Sequence, residues 1–300
     1  MIRSILKNVR DKGAISVIKS GLRHKIDQAF EFLPPRASIY RHFYRYHRRF
    51  PRLDAPLTFN EKIARRKLYD RDPLIPRLAD KIMVKEYVAE VLGTEWLIPS
   101  LWSGANLPPR CERNWPIPYV IKANHGSAWN IFVLSPEDRD WERIEDTVEE
   151  WLRETYGQSA GEWLYSEIKP ALLVEPFMGK GEVAPPDYKF WVFAGRTAFV
   201  QVDLGRLQTH RQFFYDTNWN RQSFTYLCPY DPEEIEPPKS LDRMIQAANL
   251  LGSRFPFVRI DFYEFDGRPM FGEFTFYPNS GQTEFKPESV ELEMGRLWPD

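Results

Sequence analysis

Cysteine is nearly missing: Cys111 and Cys228 are the two in 300 residues. They stand far apart, with no CxxC spacing and no Cys/His neighbourhood. That excludes a thiolate zinc site and a disulfide framework, and a reducing compartment, the cytoplasm, is expected. Long hydrophobic runs are lacking as well. Nothing approaches the roughly 18 uninterrupted apolar residues of a membrane-spanning helix. Charge interrupts every apolar stretch of MIRSILKNVRDKGAISVIKSGLRHK, so neither a signal peptide nor a membrane span is expected. Glycine is scarce beside proline, 16 against 25, the balance of stiff loops and strand ends rather than of a helix bundle. Aromatic side chains are plentiful, 15% of residues, within 43% hydrophobic and 28% charged. Those proportions exclude a disordered chain and suit one sizeable core or a core in two lobes.

The formal charge of −1 averages two unlike parts. Residues 1–53 carry thirteen Lys and Arg against Asp11, Asp27 and Glu31, a net +10, so the remaining 247 residues sum to −11. Clustered cations concentrate anionic partners. Ile2, Ile5, Leu6, Val9, Ile15, Val17, Ile18 and Leu22 interleave with the basic residues at roughly helical spacing, the pattern of a helix lying on an anionic membrane surface. The alternative is an arm packed on the main domain. No later segment resembles a base-reading module, so nucleic acid is not an expected partner.

Beyond residue 53, Thr58 and Glu61 form a capping box that opens a helix to about Tyr69. Asp80 can cap a second helix, KIMVKEYVAEVL, ended by Gly93. Strand signals follow in WLIPSLW and YVIKA, then a small polar loop from Asn124 to Ser127, and a helix from about Asp140 to Thr155. The second half reads as strands, ALLVEPFM, DYKFWVFA, TAFVQVD and HRQFFYD, then a helix after Ser240 that stops at Gly252. The last hairpin is FVRIDFYEFDGRPMFGEFTF. The whole is an α+β chain without repeats.

In that hairpin a three-residue loop, Asp266-Gly267-Arg268, would set Asp261 opposite Glu273 with their Cβ atoms roughly 5 Å apart. Arg259 and Thr275 would share their face; Ile260, Phe262, Met270, Phe274 and Phe276 would take the apolar one. Facing carboxylates repel unless a cation or a shared proton lies between them, and Mg²⁺ takes oxygen ligands in this arrangement. Lys122 ends an apolar strand, where a bare ammonium calls for an anion. The loop after it, with Gly126, can bring backbone N–H groups close to a phosphate. With Lys81 and Lys189, the pattern is that of a polyphosphate held by cations on one side and metal on the other.

From Leu57 to Trp298 the ordered segments LTFNEKI, ADKIMVKEYV, YVIKANHGS, LLVEPFM, DYKFWVFAGR, FFYDTNWN and VRIDFYEFDGRPMFGEFTFYPNSG resemble the TupA-like ATP-grasp proteins of cell-surface polysaccharide biosynthesis. The resemblance implies an ATP-grasp fold: two α+β lobes, about 80–178 and 179–300, sandwiching a nucleotide within a catalytic domain of residues 54–300, preceded by the basic segment. It implies ATP and Mg²⁺ as cofactors. Lys81 and Lys122 would reach the phosphates, and Asn124, His125, Gly126 and Ser127 would close over them. Glu175, Pro176, Phe177 and Met178 would flank adenine, and Asp187 would approach the ribose. Lys189 would touch phosphate or substrate, and Arg259 would stabilise the transferring phosphoryl group. Asp261 and Glu273 would ligate Mg²⁺. At Thr275 amide-forming relatives typically place an asparagine; either the hydroxyl substitutes, or Asn279 swings in, or one metal binds more weakly. His125 is the histidine nearest this site, with a loop-capping, substrate-contacting or general-base role.

The reaction implied joins a carboxylate to an amine through an acyl phosphate, the carboxylate being a uronic acid of a surface glycan or its lipid-linked precursor and the amine an amino acid or amino sugar. The basic segment would place the chain at the inner face of the membrane. Two other readings share the motifs: an ATP-grasp kinase acting on a hydroxyl compound, and a non-catalytic glycan-binding protein.

Overall fold

The computed structural model describes residues 34–179, 181, 183–205 and 209–299. The apolar and basic stretch from Ile2 to Leu22 lies outside the described residues. Helix α1 (Pro35–His47) buries Ile39 and Phe43 against Leu53 and Ala64. Arginines around it pair with the domain: Arg36 with Asp54 at 2.9 Å on the surface, and Arg49 and Arg52 with the buried Glu61 at 2.6 and 3.2 Å. Helix α2 (Phe59–Tyr69) opens on the expected capping box. Burial alone would raise the Glu61 carboxyl, but the amides of Leu57 and Thr58 and the guanidinium groups of Arg49 and Arg52 bring it below its ordinary value. One carboxylate thus caps α2 and ties residues 49–52 to it.

Helix α3 (Leu74–Ala79), which the sequence reading did not anticipate, precedes α4 (Val84–Leu92). Asp80 caps a turn ahead of α4, accepting from the amides of Ile82 and Met83 at 2.8 and 3.2 Å, so the helix starts at Val84 and leaves Lys81 in the turn.

Strands β1 (Trp102–Gly104), β2 (Tyr119–Ala123), β3 (Asn130–Val133) and β4 (Leu172–Pro176) form an antiparallel sheet in the order β1-β4-β2-β3. Helix α5 (Trp141–Arg153) covers one face, where Ile144, Val148 and Trp151 pack with Tyr119, Ile121, Val133, Leu172 and Val174. Because side chains alternate along a strand, the intervening residues Val120, Lys122, Leu173 and Glu175 line the other face.

The larger sheet runs β7-β6-β5-β8-β9, from β5 (Asp187–Phe193), β6 (Arg196–Leu204), β7 (Arg211–Tyr215), β8 (Phe257–Phe265) and β9 (Arg268–Thr275), all antiparallel. Helix α6 (Leu241–Gly252) packs on β5, β6 and β8, with Met244, Ala248 and Leu251 buried. The opposite face changes character along its length. At one end Trp191 and Phe257 meet Phe59 of α2 with ring centroids 5.4 and 4.9 Å apart, and Trp298, just after helix α7 (Glu288–Leu297), stacks on Phe257. At the other end stand Asp187, Lys189 and Asp261. Val84, Val88 and Trp96 belong to this larger core, whereas the smaller core draws on residues 101–174.

The last hairpin reaches the expected pairing by another route. Phe265 pairs with Arg268, so the turn has two residues, Asp266 and Gly267, both at positive φ (50° and 75°), the conformation that favours Asp-Gly. A bulge beside Asp261 then restores Asp261 opposite Glu273, Ile260 opposite Phe274 and Arg259 opposite Thr275. Gly272 is the extra residue; a Cβ there would sit 2.9 Å from the carbonyl oxygen of Asp261. The bulge also corrects one assignment: Phe271, opposite Phe262, takes the core position expected of Met270, which pairs instead with Tyr263.

Candidate nucleotide and metal site

A cavity of about 330 Å³ lies where the free face of the small sheet meets the charged end of the large one. Of the expected residues it is lined by Lys81, Lys122, Ser127, Glu175, Pro176, Phe177, Met178, Asp187, Asp261 and Glu273. Val120, Leu173, Ile98 and Phe132 give it apolar walls, the mixture of flat apolar surface and convergent charge that a nucleotide requires.

The cations come from two elements. Lys122 donates to Glu175 Oε2 at 2.6 Å, and Lys81 to the carbonyl of Gly126. Burial pushes the Lys81 ammonium down to about 8; Lys122 adds to the shift, while Glu273, Asp80 and Glu175 oppose it. A third lysine, Lys85, also reaches Glu175. Read as one helix, KIMVKEYVAEVL spaces Lys81 and Lys85 about one turn apart; in the structure Lys81 lies in the turn ahead of α4 and Lys85 in its first turn.

Lys189, Arg259 and Thr275 are absent from the lining and stand directly behind it. Lys189 Nζ donates to Asp187 Oδ2 at 2.5 Å and to Asp261 Oδ2 at 2.6 Å, with Asp203 Oδ2 3.9 Å away. Burial opposes its charge, and Asp187 and Asp261 more than restore it, so its pKa is raised. Arg259 grips Asp261 with two bonds of 2.7 Å and touches Glu273 at 3.3 Å and Thr275 at 2.9 Å. Asp203, in the strand TAFVQVD, adds a buried carboxylate beside this row that is not among the expected site residues; Gln201 and Gln212 each donate to it at 3.0 Å. Its signal was the alternation in TAFVQVD, which puts Gln201 and Asp203 on one face.

The loop after β2 divides between cavity and interior. Asn124 donates to Asp80 at 2.9 Å and to the Lys169 carbonyl at 3.0 Å, and accepts from the Ala171 amide at 2.7 Å. His125 is 1% exposed, with Nε2 2.9 Å from the Trp151 carbonyl and Nδ1 3.1 Å from Asn124 Oδ1. Both neighbours are acceptor oxygens, and burial lowers the pKa of the imidazole, so the neutral ring donates to one of them. Of the roles expected of His125, its burial outside the cavity lining fits loop capping rather than general base: the ring ties the loop to the interior. Gly126 is absent from the lining and lets the loop lie on Trp129, whose ring would be 2.5 Å from a Cβ. Ser127 is the expected loop residue that lines the cavity.

The donor set fits Mg²⁺. Asp187, Asp203, Asp261 and Glu273 outnumber Lys189 and Arg259, and burial raises the pKa of Asp261, with Asp187 and Glu273 adding and Arg259 and Lys189 opposing. Among the described residues no three His, Cys, Asp or Glu side chains form a cage of their own; Mg²⁺ is ordinarily held by one or two carboxylates and completed by phosphate oxygens and water. Thr275 Oγ1 accepts from Arg259 and donates to Glu273 at 3.1 Å, and Asn279 is exposed and bonded to Thr283. Thr275 therefore orients Glu273, and Asn279 does not enter the site. Among the described residues no helix is long and apolar enough to cross a membrane.

Comparison with curated proteins gives no match. Similar solved structures include the D-alanine–D-alanine ligase of Bacillus anthracis (15% identity over 66% of this chain and 57% of that one, TM-score 0.41). The L-amino acid ligase of Bacillus licheniformis is another (10%, 74% and 47%, TM-score 0.43), and so is the ATP-grasp ligase PsnB with its minimal precursor (13%, 68% and 53%, TM-score 0.38). The chain thus spans about half the length of these proteins. The family described as TupA-like ATPgrasp matches residues 61–298, a span that contains both sheets and every residue lining the cavity. The chain belongs to the TupA-like ATP-grasp family.

Proposed function

We propose that the protein is an ATP-dependent carboxylate–amine ligase, with ATP and Mg²⁺ bound in the 330 Å³ cavity. The observation that carries this reading is the meeting of Lys81 and Lys122 with Asp261 and Glu273 in that one cavity. Val120, Leu173 and Phe132 would hold the base, with Glu175 to Met178 along its edge and Asp187 near the ribose. The lysines would take the phosphates. Asp261 and Glu273 would hold Mg²⁺, which supplies charge neutralisation to the polyphosphate when bound.

A substrate carboxylate attacks the γ-phosphorus, the bond to the β-γ bridging oxygen breaks, and ADP leaves. The resulting acyl phosphate is attacked by an amine, which loses a proton as inorganic phosphate departs and the amide forms. The chain supplies position and charge rather than a nucleophile. Arg259 and Lys189, kept cationic by Asp261 and Asp187, would act from behind the lining, through the carboxylates they hold, on the charge that builds on the transferring group. Ser127 and the anchored loop would keep water from the acyl phosphate.

The carboxylate is proposed to be a uronic acid of a surface glycan or its lipid-linked precursor, and the amine an amino acid or amino sugar. The basic segment, residues 1–53, would hold the chain at an anionic membrane surface on the cytoplasmic side; a chain lacking it that still partitions with anionic vesicles would remove that role. ADP release with candidate uronic acids and amines, followed by mass detection of the conjugate, tests the chemistry. An amide is expected. A phosphorylated hydroxyl compound with no amine incorporated would make the protein a kinase, and failure to bind ATP in the presence of Mg²⁺ would leave a glycan-binding protein.

A further inference from the structure

Glu175 is 5% exposed, and each of its carboxylate oxygens belongs to a different lysine: Oε2 to Lys122 at 2.6 Å, Oε1 to Lys85. The two lysines are not equivalent. Lys85 also donates to the Ile98 carbonyl at 2.7 Å and to Ser100 Oγ at 2.9 Å, so its three N–H bonds have three acceptors and it is tied to the segment after α4. Lys122 has Glu175 as its hydrogen-bond partner among the described residues. The pair of lysines brings the Glu175 carboxyl below its ordinary value, against the burial that would raise it.

This asymmetry matters once phosphates enter. Lys122 spends one of its three N–H bonds on Glu175, so a phosphate can engage the others, and its single charge is then drawn away from Glu175 toward the polyphosphate. A buried carboxylate that loses its last counter-ion is strongly destabilised, so the exchange would be disfavoured if Lys122 were the sole partner. We propose that Lys85 is a positioning residue for nucleotide binding: the resident counter-ion of Glu175, which keeps that carboxylate ionised at the edge of the base while Lys122 moves to the polyphosphate. The inference rests on the nucleotide reading of the cavity. It assigns three lysines two duties, with Lys81 and Lys122 exchanging protein partners for phosphate and Lys85 staying in place.

Binding of ATP and of adenosine, each with Mg²⁺, to the wild type and to Lys85→Met tests it. In the variant Lys122 stays on Glu175, so ATP affinity falls by about tenfold or more, while adenosine, which asks nothing of Lys122, binds within about twofold of wild type. Lys85→Arg restores ATP binding. In a Glu175→Gln background no carboxylate remains to compensate, and Lys85→Met then changes ATP affinity by less than about twofold. Melting curves of all four variants establish that each is folded. Equal losses for ATP and adenosine, or the same loss with and without the Glu175 carboxylate, would reduce Lys85 to a packing residue and overturn the proposal. A wild-type protein that binds neither ligand would overturn the nucleotide reading itself; wild-type binding with an unaffected Lys85→Met overturns the inference alone.

Discussion

On the small-sheet side of the cavity, Lys81, Lys85 and Lys122 face one carboxylate, Glu175; on the large-sheet side, Asp187, Asp203, Asp261 and Glu273 outnumber Lys189 and Arg259. Each side is unbalanced, and in opposite senses. An excess of ammonium groups suits phosphate oxygens, whereas an excess of carboxylate suits a hard divalent cation. A Mg²⁺–nucleotide complex carries both kinds of charge and satisfies both sides, which neither a free anion nor a metal ion alone would do. The sides also differ in stiffness. Asp261 is held by Arg259 of its own strand and Lys189 of the next, and Glu273 by Thr275 of its own strand and Arg259 of the next, while Lys81 and Lys122 each rest on one partner that they can exchange.

Breaking the acidic side should have the largest effect. Glu273→Ala is expected to lower ADP release by about 10²–10³-fold, with the melting temperature close to wild type because the side chain is 42% exposed. Normal turnover in that variant would remove the metal assignment. Breaking the basic side should cost less and appear elsewhere: Lys122→Met is expected to raise KM for ATP by about 10–100-fold with a smaller change in kcat, read from initial rates across ATP concentrations. A fall in kcat at unchanged KM would mean that Lys122 serves the chemical step instead.

The two sides were not equally legible in the sequence. The acidic pair could be read because strand alternation is a strict period, and Asp261 and Glu273 flank a turn whose Asp-Gly is plain. The route to the pairing was hidden: a two-residue turn plus a bulge gives the same partners as a three-residue turn, and nothing local marks Gly272 as the inserted residue. Hence Met270 and Phe271 exchanged faces relative to expectation. The basic side depends on side chains of residues far apart in sequence. Lys85 could have been found from its spacing to Lys81, but its meeting with Glu175, ninety residues on, is a tertiary fact. The burial of His125 was hidden for a related reason. A short polar loop with a glycine looks exposed in sequence, yet Trp151 and Asn124 draw this imidazole inward.

The bulge offers a finer test of the acidic side. Gly272→Ala would place a methyl 2.9 Å from the Asp261 carbonyl oxygen and 3.2 Å from the Tyr263 ring. The backbone must shift, at a cost of about 1–3 kcal/mol, and the shift falls between the two carboxylates. Turnover measured well below the melting point is therefore expected to drop more than the folded fraction does. Equal losses would mean that the bulge serves stability only.

The smallest effect on the cavity should come from a carboxylate outside both sides. Glu291, in the first turn of α7, is 2% exposed and pushed up to about 7, chiefly by burial with some repulsion from Glu284; the amides of Phe285 and Asn60 and the charge of Arg49 oppose the shift. Its folded pKa lies above its unfolded one, so the native state binds the proton more tightly. The associated stability is fully present below about pH 4.5 and is lost as the pH rises through about 7. The loss should be on the order of 1–3 kcal/mol, visible as a melting temperature that declines between pH 5 and 8. Glu291→Gln cannot ionise and is expected to flatten that decline while leaving KM for ATP unchanged. A decline that persists in the variant would trace the pH dependence to other buried groups, with the charged cluster around Asp261 next to test. A changed KM would show that the interior beneath α2 and the nucleotide cavity are coupled, and the contrast between the two sides would then extend beyond the residues that line them.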